Sequence, residues 1–348
     1  MLGISVYAGL DLSLEENINY LKEAEELGIE NVFLSLHIPE VNNNFLNEVE
    51  QLISVINNLE FNLTADISKM YFQNLDLKKF NFDGLRLDFG FNNQEIAELS
   101  QNKDYRLNLN ASTLTESDIK EIVFHGGSLG NLEASHNFYP RKETGLSEKM
   151  MLKKNKLLKE YGIEIGAFVA SKHKKRPPIK AGLPSLEKHR TLEPYLAAQH
   201  LFKLGIDTVF IGDSRASSQE LKDFSSISRE TALIPIEIKG ELSPEERRLL
   251  ALEHKNRQDP GEYMVRSETA RKKKQDKIPA HNNSKRFKYS VTIDNQLYQR
   301  YEGDLQILKK DYPADPKINV VADAGKAALI IEQIKEGDKF KFKIKGEN

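Results

Sequence analysis

Residues 130–141 read GNLEASHNFYPR. Leu132 and Ala134 alternate with Asn131, Glu133 and Ser135, the period of a β-strand whose two faces differ. The run then passes into His136, Asn137, Tyr139 and Arg141. A strand with one face in water gives such an alternation, and so does a strand buried on both faces whose polar row points at a ligand. Neighbouring segments bear on the choice. Apolar runs of period two recur at 2–8, 31–37, 60–68, 84–90, 106–112, 128–135, 164–171 and 208–214, with helical patterns between them. Ser13-Leu-Glu-Glu16 has the spacing of a capping box, opening a helix that Gly28 closes. Thr115-Glu-Ser-Asp118 repeats the box, Pro184-Ser185 precedes a long helix through Leu204, and Ser217-Ser218 starts the helix after the last strand. Eight strand–helix units in series is the number that closes an α/β (β/α)8 TIM barrel. A doubly wound open sheet would carry a glycine-rich turn after its first strand, and AGLDLSLEE at 8–16 is not one.

In a barrel the outward strand faces pack on helices, while the inward faces turn polar near the C-terminal ends where sites form. Several segments fit. Gly3, Ser5 and Tyr7 oppose Leu2, Ile4 and Val6; Asn62, Thr64, Asp66 and Ser68 oppose Leu63, Ala65 and Ile67; Arg86 and Asp88 oppose Leu85 and Leu87; Asn108, Asn110 and Ser112 oppose Leu107, Leu109 and Ala111. Short Asn, Asp and Ser side chains suit a crowded polar pocket better than a solvated face, since each buried polar atom needs a partner. GNLEASHNFYPR then reads as the sixth strand running into its catalytic-face loop.

Two domains are expected, a barrel over 1–230 and a smaller, mostly β module over 231–348. After Arg229, TALIPIEIKG reads as a strand, and Ser243-Pro-Glu-Glu246 caps a helix running to about Asn256. EYMVRSE, FKYSVTIDN, GDLQILKK, KINVVAD and LIIEQIKEGDKFKFKI read as short strands, plausibly a partly closed barrel. The basic segment 271–286 reads as a surface loop, and without interleaved aromatics it does not suggest nucleic-acid binding.

The 348 residues carry a formal net charge of −2, 39% hydrophobic and 29% charged residues, and no cysteine. That composition supports a real core and gives no global attraction to nucleic acid or acidic membrane. The missing cysteine excludes disulfides, thiolate zinc sites and a cysteine nucleophile. The N-terminus lacks a basic leader and no apolar run is long enough to span a membrane, so a cytoplasmic protein is expected. No spacing demands a metal, and no cofactor is called for.

Paired carboxylates without a metal or a nucleophilic triad point to glycoside chemistry, where one carboxyl donates a proton and the other stays ionised. Glu133, flanked by Leu132 and Ala134, and Asp88, sharing a face with Arg86, form the expected pair; Asp66 or Asp213 are the alternatives to Asp88. A plain Asp88–Arg86 ion pair under the pocket would look the same. Glu187, His37 and His136 fall at candidate top-face positions, though any one histidine there is more often a surface histidine than a ligand. Arg141, Lys172 and Arg190 cluster near the loop SKHKKRPPIKAGLPSLEKHR, suiting an anionic substrate or simply a solvated basic loop.

Five stretches, LGISVYAG (2–9), GLRLDFG (84–90), GNLEASHNFYPRKETGLS (130–147), AGLPSLEKHR (181–190) and VRSETAR (265–271), resemble the MupG family of 6-phospho-N-acetylmuramidases. The resemblance implies a TIM barrel followed by a cyclophilin-like domain, and hydrolysis of N-acetylmuramic acid 6-phosphate β-1,4-linked to N-acetylglucosamine in cytoplasmic cell-wall recycling. On that substrate, Arg86, Arg141, Lys172 and Arg190 are candidate partners for phosphate and lactyl carboxylate. Ser5, Tyr7, Ser68, Asn108, Asn110, Asn131, Asn137 and Tyr139 are candidates for hydroxyls and acetamide, and Arg266 of VRSETAR for the phosphate, an interdomain ion pair being its alternative. A phosphosugar isomerase, epimerase or aldolase, or a non-catalytic sugar-phosphate sensor, would share the fold. The sequence leaves the oligomeric state open.

Overall fold

The computed structural model describes residues 1–36, 45–69, 72 and 79–344. They form two compact units, Met1–Ser226 and Ile227–Asn348. In the first, strands β1 (Leu2–Val6), β2 (Asn31–Ser35), β3 (Asn62–Ile67), β4 (Gly84–Leu87), β5 (Arg106–Asn110), β6 (Leu132–Ser135), β7 (Glu164–Val169) and β8 (Thr208–Ile211) close in sequence order into a barrel. Each pairs in parallel with its neighbour, and β8 returns to β1. Helices α1 (Leu14–Glu26), α2 (Phe45–Asn58), α3 (Asn93–Leu99), α4 (Glu116–Phe124), α5 (Glu148–Glu160), α6 (Pro194–Lys203) and α7 (Ser218–Ser225) lie between the strands.

Local chemistry fixes the helix starts. Ser13 Oγ accepts the Glu16 N–H at 3.2 Å while the Glu16 carboxylate accepts the Ser13 N–H at 2.8 Å, a reciprocal box that Thr115/Asp118 and Ser217/Glu220 repeat. Gly28, at φ +72°, takes the left-handed position that ends α1. The long helix expected after Pro184-Ser185 is shorter: 187–189 form one 3-10 turn and α6 starts at Pro194. A proline disfavours helix in the residue before it, so Pro194 opens a helix more readily than it continues one.

Leucines and alanines of β3–β6 are buried on the helix side. The opposite faces bond to one another across the strands: Arg86 to Asp66 at 2.6 Å, and Asn108 to Glu133 at 3.0 Å and to Ser135 at 2.9 Å. The polar rows thus line the interior. On the other side of the barrel Phe33, Phe168 and Phe210 pack with Phe138, at centroid separations of 5.0 to 6.4 Å. A Cβ on Gly3 would lie 2.4 Å from the Phe210 ring, so only glycine leaves room for this aromatic layer.

The second unit holds a seven-stranded sheet ordered β10-β15-β9-β14-β12-β13-β11, from β9 (Thr231–Ile238), β10 (Glu253–Lys255), β11 (Met264–Arg266), β12 (Ser290–Asp294), β13 (Leu305–Leu308), β14 (Ile318–Asp323) and β15 (Lys339–Ile344). Only the β9–β15 pairing is parallel. The helix capped by Ser243, α8 (Pro244–Leu250), ends before Asn256, because residues 253–255 pair with β15 instead. Residues 270–273 form a single helical turn, α9 (Ala270–Lys273). LIIEQ is not a strand but helix α10 (Ala328–Gln333). Nor is 271–286 a free loop: Ile278 is fully buried, and His281 and Asn283 bond to Asn319. Among the described residues no helix is long and apolar enough to cross a membrane.

Candidate active site

The expected pair, Glu133 and Asp88, is not brought together. Glu133 is the second residue of β6, and its carboxylate faces a cavity lined by Met1, Asn31, Thr64, Glu164 and Thr208, which stand at or near the starts of their strands. This is the N-terminal end of the barrel. The cavity measures about 50 Å3, room for water and not for a sugar. Burial pushes the Glu133 carboxyl up from its ordinary value, against the Asn108 hydrogen bond and Arg106 at 3.6 Å. Asn131 belongs to the same end: it precedes β6 in a 3-10 turn, and its amide donates to the carbonyls of Ser100, Asn102 and Tyr105. Asn108 is committed to Glu133 and Ser135.

Asp88 follows β4 at the opposite, C-terminal end, and there a different pair assembles. Arg86, 4% exposed, donates to Asp66 at 2.6 Å and to the Asn137 side-chain oxygen, and stands 3.6 Å from Asp88. Asp66 and Asp88 therefore share one buried guanidinium at the barrel mouth. The Asp88 side chain is 34% exposed against 10% for Asp66. Among the described residues the Arg86 Nε and the Ser68 hydroxyl are buried without a hydrogen-bond partner, and the buried Ser5 hydroxyl lies beside that of Tyr7. Asn110, half-buried, accepts the Ser112 N–H at 3.0 Å. His37 lies outside the described residues.

The remaining expected residues mostly hold the mouth loops. Arg190 uses all five guanidinium hydrogens: two on Glu187, both at 2.6 Å, and one each on the carbonyls of Tyr139, Gly182 and Arg141. Glu187 also accepts the Glu143 and Gly145 N–H groups, and with Arg190 foremost these hold its carboxyl down at about 2. Neither is free for a substrate. Tyr139 is tied through its backbone, its N–H donating to Pro184 at 3.1 Å. Asp213, fully buried, accepts N–H groups of Ser171, Arg176 and Leu183, cinching the loop after β7; burial nonetheless pushes its carboxyl up.

His136 bonds Asn155 of α5 at 2.7 Å, and burial pulls it down to about 4: it is a neutral core histidine between strand and helix. Lys172 is exposed and paired to Glu193 at 2.5 Å, outside the interior where Schiff-base chemistry would need it. Arg141 is exposed. Arg266, in the second unit, pairs with Asp304 at 3.2 Å and lines a cleft of about 380 Å3 with Asp294 and Tyr298. Among the described residues no cluster of His, Asp and Glu is arranged to hold a metal ion.

Tyr7, an expected substrate contact, is instead locked in place, and one mouth residue, Arg176, escaped the sequence reading. Tyr7 donates its hydroxyl to the Gly212 carbonyl at 2.5 Å, and burial raises it to about 12, so it is a fixed neutral ring. Arg176 lies over that ring at 5.1 Å and over Phe138 at 5.4 Å. Its only signal in the sequence was membership of the basic loop, where nothing separated it from six other lysines and arginines.

The family model described as 6-phospho-N-acetylmuramidase, N-terminal, matches residues 2–226, and the corresponding C-terminal model matches 232–343. Among solved structures the chain is similar to an uncharacterized B. cereus protein, at 29% identity over 98% of this chain and 99% of that one, with a TM-score of 0.87. It is similar also to a conserved Enterococcus faecalis protein of unknown function, at 31% identity over 99% and 97%, with a TM-score of 0.82. No curated protein matches. With both units matched almost end to end, the chain belongs to the 6-phospho-N-acetylmuramidase family, whose name is that of a glycosidase.

Proposed function

We propose that the protein hydrolyses the β-1,4 bond between N-acetylmuramic acid 6-phosphate and N-acetylglucosamine, in the cytoplasm, as a step in recycling cell-wall fragments. The observation that carries this reading is the Asp66–Arg86–Asp88 group at the barrel mouth. Glycoside cleavage needs one carboxyl that gives a proton to the departing oxygen and one that meets the positive charge growing at the anomeric carbon. An adjacent guanidinium favours a charged carboxylate, which suits Asp66 to the second task. Asp88, farther from the guanidinium and nearer the solvent side of the mouth, is the carboxyl able to reach the departing oxygen and takes the proton donor's role in this reading. The bond from the anomeric carbon to the glucosamine O4 breaks as that oxygen takes the proton from Asp88; water adds to the anomeric carbon, and the proton it releases restores the Asp88 carboxyl. Ser5, Ser68 and Asn110 are the proposed partners of hydroxyls and acetamide. Glu133 has no part in the chemistry, since no sugar fits its cavity.

The purified protein is incubated with the 6-phosphorylated disaccharide and with its unphosphorylated twin, and products are read by mass spectrometry. Cleavage of the phosphorylated compound is expected, lost at least a hundredfold in Asp88→Asn, the order of a general-acid contribution. Binding without cleavage would replace the hydrolase with a sugar-phosphate sensor.

A further inference from the structure

The barrel mouth carries a cation that no carboxylate among the described residues pairs with. Arg106, Arg190 and Arg215 each have a carboxylate within hydrogen-bonding reach, as does Arg86. Arg176 has none among the described residues: its side chain donates Nε to the Pro177 carbonyl at a long 3.4 Å and meets the Tyr7 hydroxyl. Its place is nevertheless fixed. Its backbone N–H donates to Asp213 at 3.0 Å, in the same carboxylate that holds Ser171 and Leu183. Its guanidinium rests on the rings of Tyr7 and Phe138, and Tyr7 is itself locked to Gly212. A half-buried guanidinium stacked on two rings still presents in-plane donors to a ligand.

We infer that Arg176 builds an oxyanion subsite at the barrel mouth, where it takes an anionic group of the substrate; the substrate's identity rests on the function proposed above. Phe138 follows Asn137, the residue Arg86 holds, so the stacked guanidinium adjoins the Asp66–Asp88 group along one stretch of chain. The guanidinium fork fits the planar edge of a carboxylate or two oxygens of a phosphate. The loop after the seventh strand is also where barrels commonly hold phosphate. The proposed substrate offers both anions, on its 6-phosphate and its lactyl group.

Calorimetry on the whole chain separates the sources, using wild type, Arg176→Ala and Arg176→Lys with three monosaccharides. N-acetylmuramic acid 6-phosphate carries both anions, N-acetylglucosamine 6-phosphate only the phosphate, and N-acetylmuramic acid only the carboxylate. Arg176→Ala is expected to weaken the first by about ten- to a hundredfold, the range of a charge-assisted pair, and Arg176→Lys by less. Loss confined to N-acetylglucosamine 6-phosphate assigns the phosphate, and loss confined to N-acetylmuramic acid assigns the carboxylate. With the disaccharide, KM rises by a similar factor while kcat stays within about threefold. Unchanged affinity for all three sugars in a variant with wild-type thermal unfolding overturns the subsite, as does a wild type that binds none of them. A wild type that binds the sugars through Arg176 but cuts no disaccharide keeps the subsite and removes the hydrolase.

Discussion

Asp88 and Glu133 illustrate what a residue pattern conveys and what it omits. Alternation tells which face of a strand a side chain occupies, and Asp66, Arg86 and Asp88 were legible on that ground. It does not tell height along the barrel axis. The apolar run was read from Ser128, which puts Glu133 in the upper half of its strand; β6 starts at Leu132, which puts it near the floor. Arg190 fails differently, since a sequence shows a cation but not that its five hydrogens are taken. The two carboxylates are separable by experiment. Glu133→Gln is isosteric and removes a buried acid with a raised pKa, so kcat is expected within about threefold of wild type while Asp88→Asn loses turnover. Comparable losses in both would return Glu133 to the chemistry.

Among the elements, those with a local chemical signal were the legible ones. The capping boxes at Ser13, Thr115, Ser217 and Ser243 each open a helix where their spacing says. Ser217→Ala is expected to cost about 1 kcal/mol, read by urea unfolding of the whole chain. The stretch before α6 carried the same residue types without a local rule, because its shape is dictated by the long-range Glu187–Arg190 staple. Arg190→Lys keeps the charge but cannot serve the same five acceptors. It should destabilise the barrel by about 2 kcal/mol and raise protease sensitivity over 139–187, a discounted figure because Glu187 is about a third exposed. An unchanged digestion pattern would mean the loops hold without it.

For the whole molecule, the eightfold recurrence of strand and helix was enough to fix the barrel, because few other architectures bury so many parallel strands. The smaller unit was harder to read. Its short segments carry little periodicity, so LIIEQ passed for a strand and 253–255 for helix. Histidine burial sets the acid limit of the barrel. Burial holds His136 and His200 near 4 and His189 well below its ordinary value. An unfolded histidine takes a proton below about 6.5, whereas these three do not until far lower. The unfolded chain therefore binds more protons as pH falls, and stability present above 6.5 is lost toward 4. Thermal midpoints measured from pH 7.5 down to 5 should fall steadily, and His136→Gln should flatten the slope by about a third. A flat wild-type profile would contradict the buried, neutral assignment.

The aromatic layer of Phe33, Phe168 and Phe210 under Phe138 has a consequence for traffic. Among the described residues these rings fill one side of the barrel interior, from Phe138 at the mouth to Phe210 on the floor cavity. For the hydrolysis proposed above, substrate, attacking water and both sugars would then meet at the mouth, and the leaving sugar would have to clear that threshold before the next water arrives. Turnover in such a vessel is governed by the order of exits and entrances as much as by the bond that breaks.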